Sequence, residues 1–204
     1  ARHASATTNV TYLSVAEGGP GHYPTIPING QIPVADNNAW TPGAGGMTIF
    51  FITRPTTLGT SKVFVSKLNT SNYEWVIEQG ASGALNAAIT NSTGVYIRST
   101  TSPASTVVAN VWQAYCVTIS GNTNAATITL YKNGNTAIAG STTATAGAGT
   151  VANGTALLGL GYRQDLPTTF SLTGSLAHVA IFTGVLSGAN IATIMNAADA
   201  DGWF

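Results

Sequence analysis

Short runs of apolar and β-branched residues recur along this chain, some alternating with polar positions at a period of two, with turn-like clusters between them. Val10, Tyr12 and Ser14 alternate with Thr11, Leu13 and Val15, which predicts a first strand over residues 8–16. Further strands are predicted over residues 47–54, 62–67, 73–78, 84–89, 94–98, 112–119, 126–131, 157–162 and 172–182. Asn133-Gly134 follows one of these runs and predicts a hairpin with a return strand over 136–139, since such a turn needs positive φ. One helix is convincing: Ser187 can cap it, and Ile191, Ile194, Met195 and Ala198 form a single apolar stripe. About ten short strands with one short C-terminal helix predict an all-β sandwich of two antiparallel sheets.

Two stretches do not fit this pattern. Residues 17–46 hold five of the eight prolines and seven glycines, so regular sheet is not expected there. Tyr23, Ile26, Ile28, Ile32 and Trp40 punctuate this stretch with apolar side chains. It either packs over the edge of its own sandwich or reaches a neighbouring subunit, and the sequence leaves both open. Residues 140–155 are a Thr/Ala/Gly tract, read as a surface loop. The organisation expected is an N-terminal strand and Pro/Gly-rich arm over 1–46 and a sandwich domain over 47–204, together one globular unit.

Composition narrows the function. Charged residues make up 7% of the 204, and seven Lys plus Arg balance seven Asp plus Glu. Binding a phosphate backbone needs a surplus of cations, so a nucleic-acid partner is not expected. No run of about 18 apolar residues occurs, so neither is membrane insertion. Thr (31), Asn (16) and Ser (15) replace the missing charge, giving a neutral polar surface that favours association. The single cysteine, Cys116, excludes an internal disulfide and is read as a small buried hydrophobe. No signal-peptide-like stretch is visible at the start, and the sequence does not say whether one was removed.

Four blocks then carry a resemblance. They are Thr48-Ile49-Phe50-Phe51-Ile52-Thr53-Arg54-Pro55; Trp112-Gln113-Ala114-Tyr115-Cys116-Val117-Thr118; Ile128-Thr129-Leu130-Tyr131-Lys132-Asn133-Gly134; and Leu158-Gly159 leading to the run from Phe170 to Phe182. In this order and spacing, with Leu186-Ser187 and Ile191 after them, the chain resembles the laminin G-like, concanavalin A-like jelly-roll family over roughly residues 46–196. The resemblance implies a jelly roll. It implies little about activity, since that fold hosts lectins, glycanases, adhesion modules and virion proteins. Read as residues, Trp112 and Tyr131 are packing groups rather than ligand platforms.

Candidate chemistry is sparse. Some glycanases of this fold carry Glu-x-Asp-x-Glu; here Glu74-Trp75-Val76-Ile77-Glu78 has Val76 at the middle acid. Positions i and i+4 of a strand lie about 13 Å apart, against about 5–9.5 Å between the carboxylates of glycosidases. The two glutamates are therefore read as solvent-facing, with Trp75 toward the core, and no catalytic residue is assigned. His3, His22 and His178 show no metal spacing. No cofactor is expected; calcium is considered only through Asp36, Asn37, Asn38 and Asp165. For glycans, Asn37, Asn38 and Asp165 are the candidates, with Trp40 and Tyr162 as stacking rings. For assembly, the candidates are Tyr23, Ile26, Ile28, Ile32, Trp203 and Phe204.

The resemblance and the neutral surface lead to one expectation. It is a non-enzymatic structural or binding protein on the surface of an assembled particle, such as a tailed-bacteriophage capsid decoration or tail protein, with glycan-binding capacity. Its partners would be copies of itself, other virion proteins and surface glycans. The alternative is a secreted or cell-surface carbohydrate-binding or adhesion module.

Overall fold

The computed structural model describes residues 11–13, 23–26 and 30–204, the first two segments as backbone only. Two antiparallel sheets form a sandwich. One has six strands in the order β1 (Thr11–Leu13), β2 (Tyr23–Ile26), β13 (Gly174–Thr183), β4 (Met47–Pro55), β9 (Gln113–Ile119) and β10 (Ile128–Lys132). The other has seven, in the order β11 (Thr142–Ala144), β8 (Tyr96–Thr101), β7 (Leu85–Thr90), β6 (Tyr73–Gln79), β5 (Lys62–Leu68), β12 (Leu158–Leu160) and β3 (Ile32–Val34). The all-β jelly roll, with α1 (Gly188–Ala200) the one α-helix among the described residues, is what the strand-like runs and the capped apolar stripe predict.

The core lies between the sheets. Phe51 of β4, Phe64 of β5 and Tyr115 of β9 form its aromatic centre, with ring centroids 5.3–6.2 Å apart. Around them pack Ile49, Trp75, Ile77, Leu85, Ala87, Ile89 and Val117. β4 reads Ile49-Phe50-Phe51-Ile52 without polar interruption because both of its faces are covered. Ile49 and Phe51 enter the inter-sheet core; Phe50 and Ile52 meet α1. Ser187 caps that helix, its Oγ accepting from the Asn190 amide (3.3 Å), and Ile191, Met195 and Ala198 are its buried stripe.

Several expectations need correction. The Pro/Gly-rich stretch does contain sheet: β2 pairs with β1 and β13, and β3 pairs with β12. Pro33 is tolerated because β3 is an edge strand, where one side of the ladder is not needed. Ile32, expected at an assembly contact, is 4% exposed and belongs to the inter-sheet core. Tyr23 and Ile26 lie in β2, with no side chain described, and Ile28 lies outside the described residues, as do His3 and His22. The Thr/Ala/Gly tract contributes β11, whose three residues pair with Ser99–Thr101 of β8. The return strand after Asn133-Gly134 is a single bridge, Tyr131 to Ala137. Only Asn133 of that pair takes positive φ (48°), and its side chain accepts from the Ala114 amide at 2.8 Å.

The C-terminal aromatics also pack within the chain. Trp203 is 3% exposed, edge-on to Trp112 at 4.8 Å and to His178 at 5.4 Å. It closes the cluster under α1, while Phe204 is half-buried beside it. Trp112 and Tyr131 pack in that same cluster, as packing groups.

Candidate functional site

β6 sets the chemistry of one face. Trp75 and Ile77 enter the inter-sheet core, so the alternation turns Glu74, Val76 and Glu78 onto the outer face of the seven-stranded sheet. That face is covered rather than wet. Glu74 is 0% exposed and Glu78 8%, which corrects the expectation of solvent-facing carboxylates. The cover comes from the chain on either side of β12 and from Tyr73 at the start of β6. Phe170 and Tyr73 pack over Val63, Leu68, Val76 and Ala88, and Gly154 donates its amide to Glu74 Oε1 (3.0 Å).

Two polar clusters flank this apolar patch. In the first, Lys67 of β5 is fully buried and its ammonium donates to Glu74 Oε1. Asp36 Oδ1 lies 3.0 Å from Lys67 Nζ. The Thr41 hydroxyl lies 2.5 Å from Glu74 Oε2 and 2.6 Å from Asn153 Oδ1, and the Asn153 amide donates to Asn38 Oδ1 (2.9 Å). Asn37 caps the 3-10 turn Asn38–Trp40, its Oδ1 accepting from the Ala39 amide at 3.0 Å. The Trp75 indole donates to the Trp40 carbonyl (2.7 Å), fastening that turn to the core. Burial pushes the Glu74 carboxyl above the usual carboxylate range, against the opposing pull of Lys67, Thr41 and the Gly154 amide.

In the second cluster, Glu78 Oε1 accepts from Asn86 (3.2 Å), whose Oδ1 accepts from Thr101 (3.0 Å). Glu78 Oε2 is buried without a hydrogen-bond partner. Arg163 forms a bidentate pair with Asp165 (3.0 and 2.6 Å) and lies 4.8 Å over the Phe170 ring. The Tyr96 phenol lies against the same guanidinium, in a residue that is 37% exposed. Burial raises the Glu78 carboxyl, with Asn86 and the Arg163 charge pulling the other way.

Among the candidates read from the sequence, Asn37, Asn38 and Trp40 come together at the mouth of the first cluster. Asp165 belongs to the second. Tyr162 is 3% exposed, its ring packed inside rather than open to a sugar, which corrects its reading as a stacking platform. Trp40 is half-buried between the sheets, lining a cavity of about 130 Å³ with Val34, Leu158, Leu160, Val179 and Ile181. Asp36 and Asp165, considered for calcium, each face a cation, and the described residues contain no cluster of three or more metal-ligating side chains. Sequence reasoning missed Thr41, Lys67, Tyr96, Asn153 and Arg163. Only Lys67 carried a signal, a lysine set late in a strand that holds Val63, Phe64, Val65 and Leu68. A larger cavity of about 300 Å³ lies under α1, lined by Phe50, Ile52, His178, Ile194 and Trp203 among others.

The face is suited to holding hydroxyl-rich ligands through amides, hydroxyls and an exposed aromatic ring. It does not present two facing carboxylates. Glu74 is engaged by Lys67, and Glu78 stands four residues further along the same strand, about 13 Å away.

Comparison with known proteins places this fold. No curated protein matches the chain in sequence. Among solved structures, the binding domain of Paraclostridial Mosquitocidal Protein 1 matches with a TM-score of 0.70 at 16% identity, over 95% of this chain and 47% of that one. Domain 4 of AbnA, an extracellular GH43 arabinanase from Geobacillus stearothermophilus, in complex with arabinotriose, matches at 0.61 and 13% identity, over 92% and 82%. The binding domain of botulinum neurotoxin DC in complex with SialylT matches at 0.59 and 14% identity, over 83% and 40%. This chain thus spans about half the length of the toxin binding domains. At these identities the likeness is one of fold. The family model of the concanavalin A-like lectin/glucanases superfamily matches residues 28–192, which include β3 and run into α1. The chain belongs to the concanavalin A-like lectin/glucanases superfamily.

Proposed function

We propose that this chain is a non-catalytic carbohydrate-binding module whose sugar contacts lie at Asn37, Asn38, Thr41 and Asn153, on the outer face of the seven-stranded sheet. The observation that carries the reading is the linked pair of surface amides, Asn38 and Asn153, held from beneath by the buried Lys67–Glu74 pair. Amides fixed in this way meet vicinal hydroxyls without first losing side-chain freedom, and that preorganisation is what makes polar contacts count in binding. Two fold neighbours of the chain are recorded with arabinotriose and with SialylT. The test is a glycan array followed by titration of the best hit. Asn38→Ala and Asn153→Ala are each expected to weaken binding about tenfold or more, equivalent to about 1.4 kcal/mol. An array without hits, or hits indifferent to both changes in folded protein, overturns the reading.

The setting proposed for the module is the surface of an assembled particle, such as a tailed-bacteriophage capsid or tail. The low charge and zero net charge favour it, since such surfaces associate readily. Assembly contacts then fall on Phe204 and on the arm that includes Tyr23, Ile26 and Ile28. Native mass and co-purification with a particle test this setting. A secreted monomer favours the cell-surface alternative and leaves the glycan reading in place.

A further inference from the structure

The geometry around Lys67 points to a covalent cross-link: we propose that Lys67 Nζ and Asp36 Cγ condense spontaneously into an intramolecular amide, with Glu74 carrying the protons. This goes beyond sugar binding and does not depend on it.

Three observations meet at one place. Lys67 is a fully buried amine, a good nucleophile once it is neutral. Asp36 Oδ1 sits 3.0 Å from that nitrogen and is buried, yet it makes no hydrogen bond with it. The amine is therefore near the carboxyl without being aimed at the oxygen as a donor, and Cγ lies one bond beyond. Reacting atoms held at about 3–3.5 Å gain large effective concentrations. Glu74, also fully buried, touches the same nitrogen and is a carboxyl whose neutral form is favoured by burial. The Thr41 hydroxyl has one proton but two oxygens close to it, at 2.5 and 2.6 Å. The second of these contacts needs a proton from the partner, which either the acid form of Glu74 or a turned Asn153 amide supplies.

The step balances without another reactant. The ammonium of Lys67 gives a proton to the Glu74 carboxylate. The neutral amine attacks Asp36 Cγ, and Glu74 returns the proton to a carboxyl oxygen. The second nitrogen proton then passes through Glu74 to that hydroxyl. The C–O bond breaks, water leaves, and a C–N bond remains with Glu74 ionised as at the start. The Lys67 side chain and Asp36 Oδ1 are buried, which limits the approach of water to the amide and so opposes the reverse hydrolysis, although the Asp36 side chain as a whole is 25% exposed. The product closes a ring from residue 36 to residue 67. It ties the chain just after edge strand β3 to β5, across β12, which lies between them in the sheet.

The test is the intact mass of the full chain under denaturing conditions. The wild type is expected to be lighter than its sequence by one water, with a proteolytic fragment pair joined at Asp36 and Lys67. Lys67→Arg is expected to have its full sequence mass. Asp36→Asn is expected to expel ammonia instead and reach the same product mass as the wild type. A folded wild-type chain with its full sequence mass overturns the proposal. So does a missing water that persists in Lys67→Arg, which would place the dehydration elsewhere, as at Asp201-Gly202. Complete cross-linking in folded Glu74→Gln overturns the role given to Glu74.

Discussion

Cys116 lies in β9 between Tyr115 and Val117, and burial pushes its thiol up to about 12. At neutral pH it is a packing atom, as its strand context suggests. A thiol reagent is expected to leave it unmodified in native protein and to react stoichiometrically after unfolding. Glu78 behaves differently because its carboxyl is raised above the ordinary value of 4.5 by burial. The folded state then holds this proton more tightly than the unfolded chain. Its contribution to stability is present below the ordinary value and is lost as pH rises through the folded one. Denaturant unfolding is expected to show wild type losing stability relative to Glu78→Gln as pH climbs from about 4.5 toward neutrality. A difference that stays flat across this range sinks the expectation. These two residues also show what local pattern can tell. Alternation placed Cys116 inside a strand and set Glu74 and Glu78 opposite Trp75. It could not show that the outer face is covered, because the cover is built from residues some eighty positions away, where no periodicity points back to β6.

β4, β5, β6 and β9 were legible because each is a run of seven or more residues rich in β-branched, aromatic and other apolar side chains, and α1 because its apolar stripe shows and Ser187 supplies a physical start. β3 and β11 were not. Each has three residues, one contains Pro33, and the other lies in a tract of Thr and Ala without alternating hydrophobicity. Their pairing comes from the neighbouring strand rather than from their own sequence. Trp203 was misread for a related reason: an aromatic at a chain end resembles a docking surface until the cluster beneath the helix is seen. Trp203→Ala is expected to cost about 3–5 kcal/mol, the range for emptying a buried aromatic site, read as a lower unfolding midpoint. No loss of stability would return Trp203 to the role of an assembly contact. At the start of β4, Gly46 takes φ +74°, and a Cβ there would lie 2.0 Å from the Ile119 carbonyl oxygen. Gly46→Ala is expected to destabilise the β4–β9 pairing, visible as faster amide exchange in those strands.

Both sheets draw on the two ends of the chain. β2 joins β13 in one sheet and β3 edges the other, so the segment before residue 47 supplies Ile32 and Val34 to the core and Asp36 to Lys67. A fragment of residues 47–204 is therefore expected to be markedly less stable than the full chain, or unfolded, as read by circular dichroism and denaturant titration. Equal stability of the two would make residue 46 a true domain boundary. The frame of this molecule is held by backbone ladders, whereas the short covering segments 36–41 and 153–155, beside β3 and β12, are fastened mainly by side chains: Asp36, Thr41, Asn153. Mutation in those segments can therefore proceed without disturbing strand register. Asn37, Asn38 and Asn153 stand outside the strands, so changing them alters the chemistry of this face while leaving the ladders of the sandwich in place, and a library randomised at these three positions would vary one without the other.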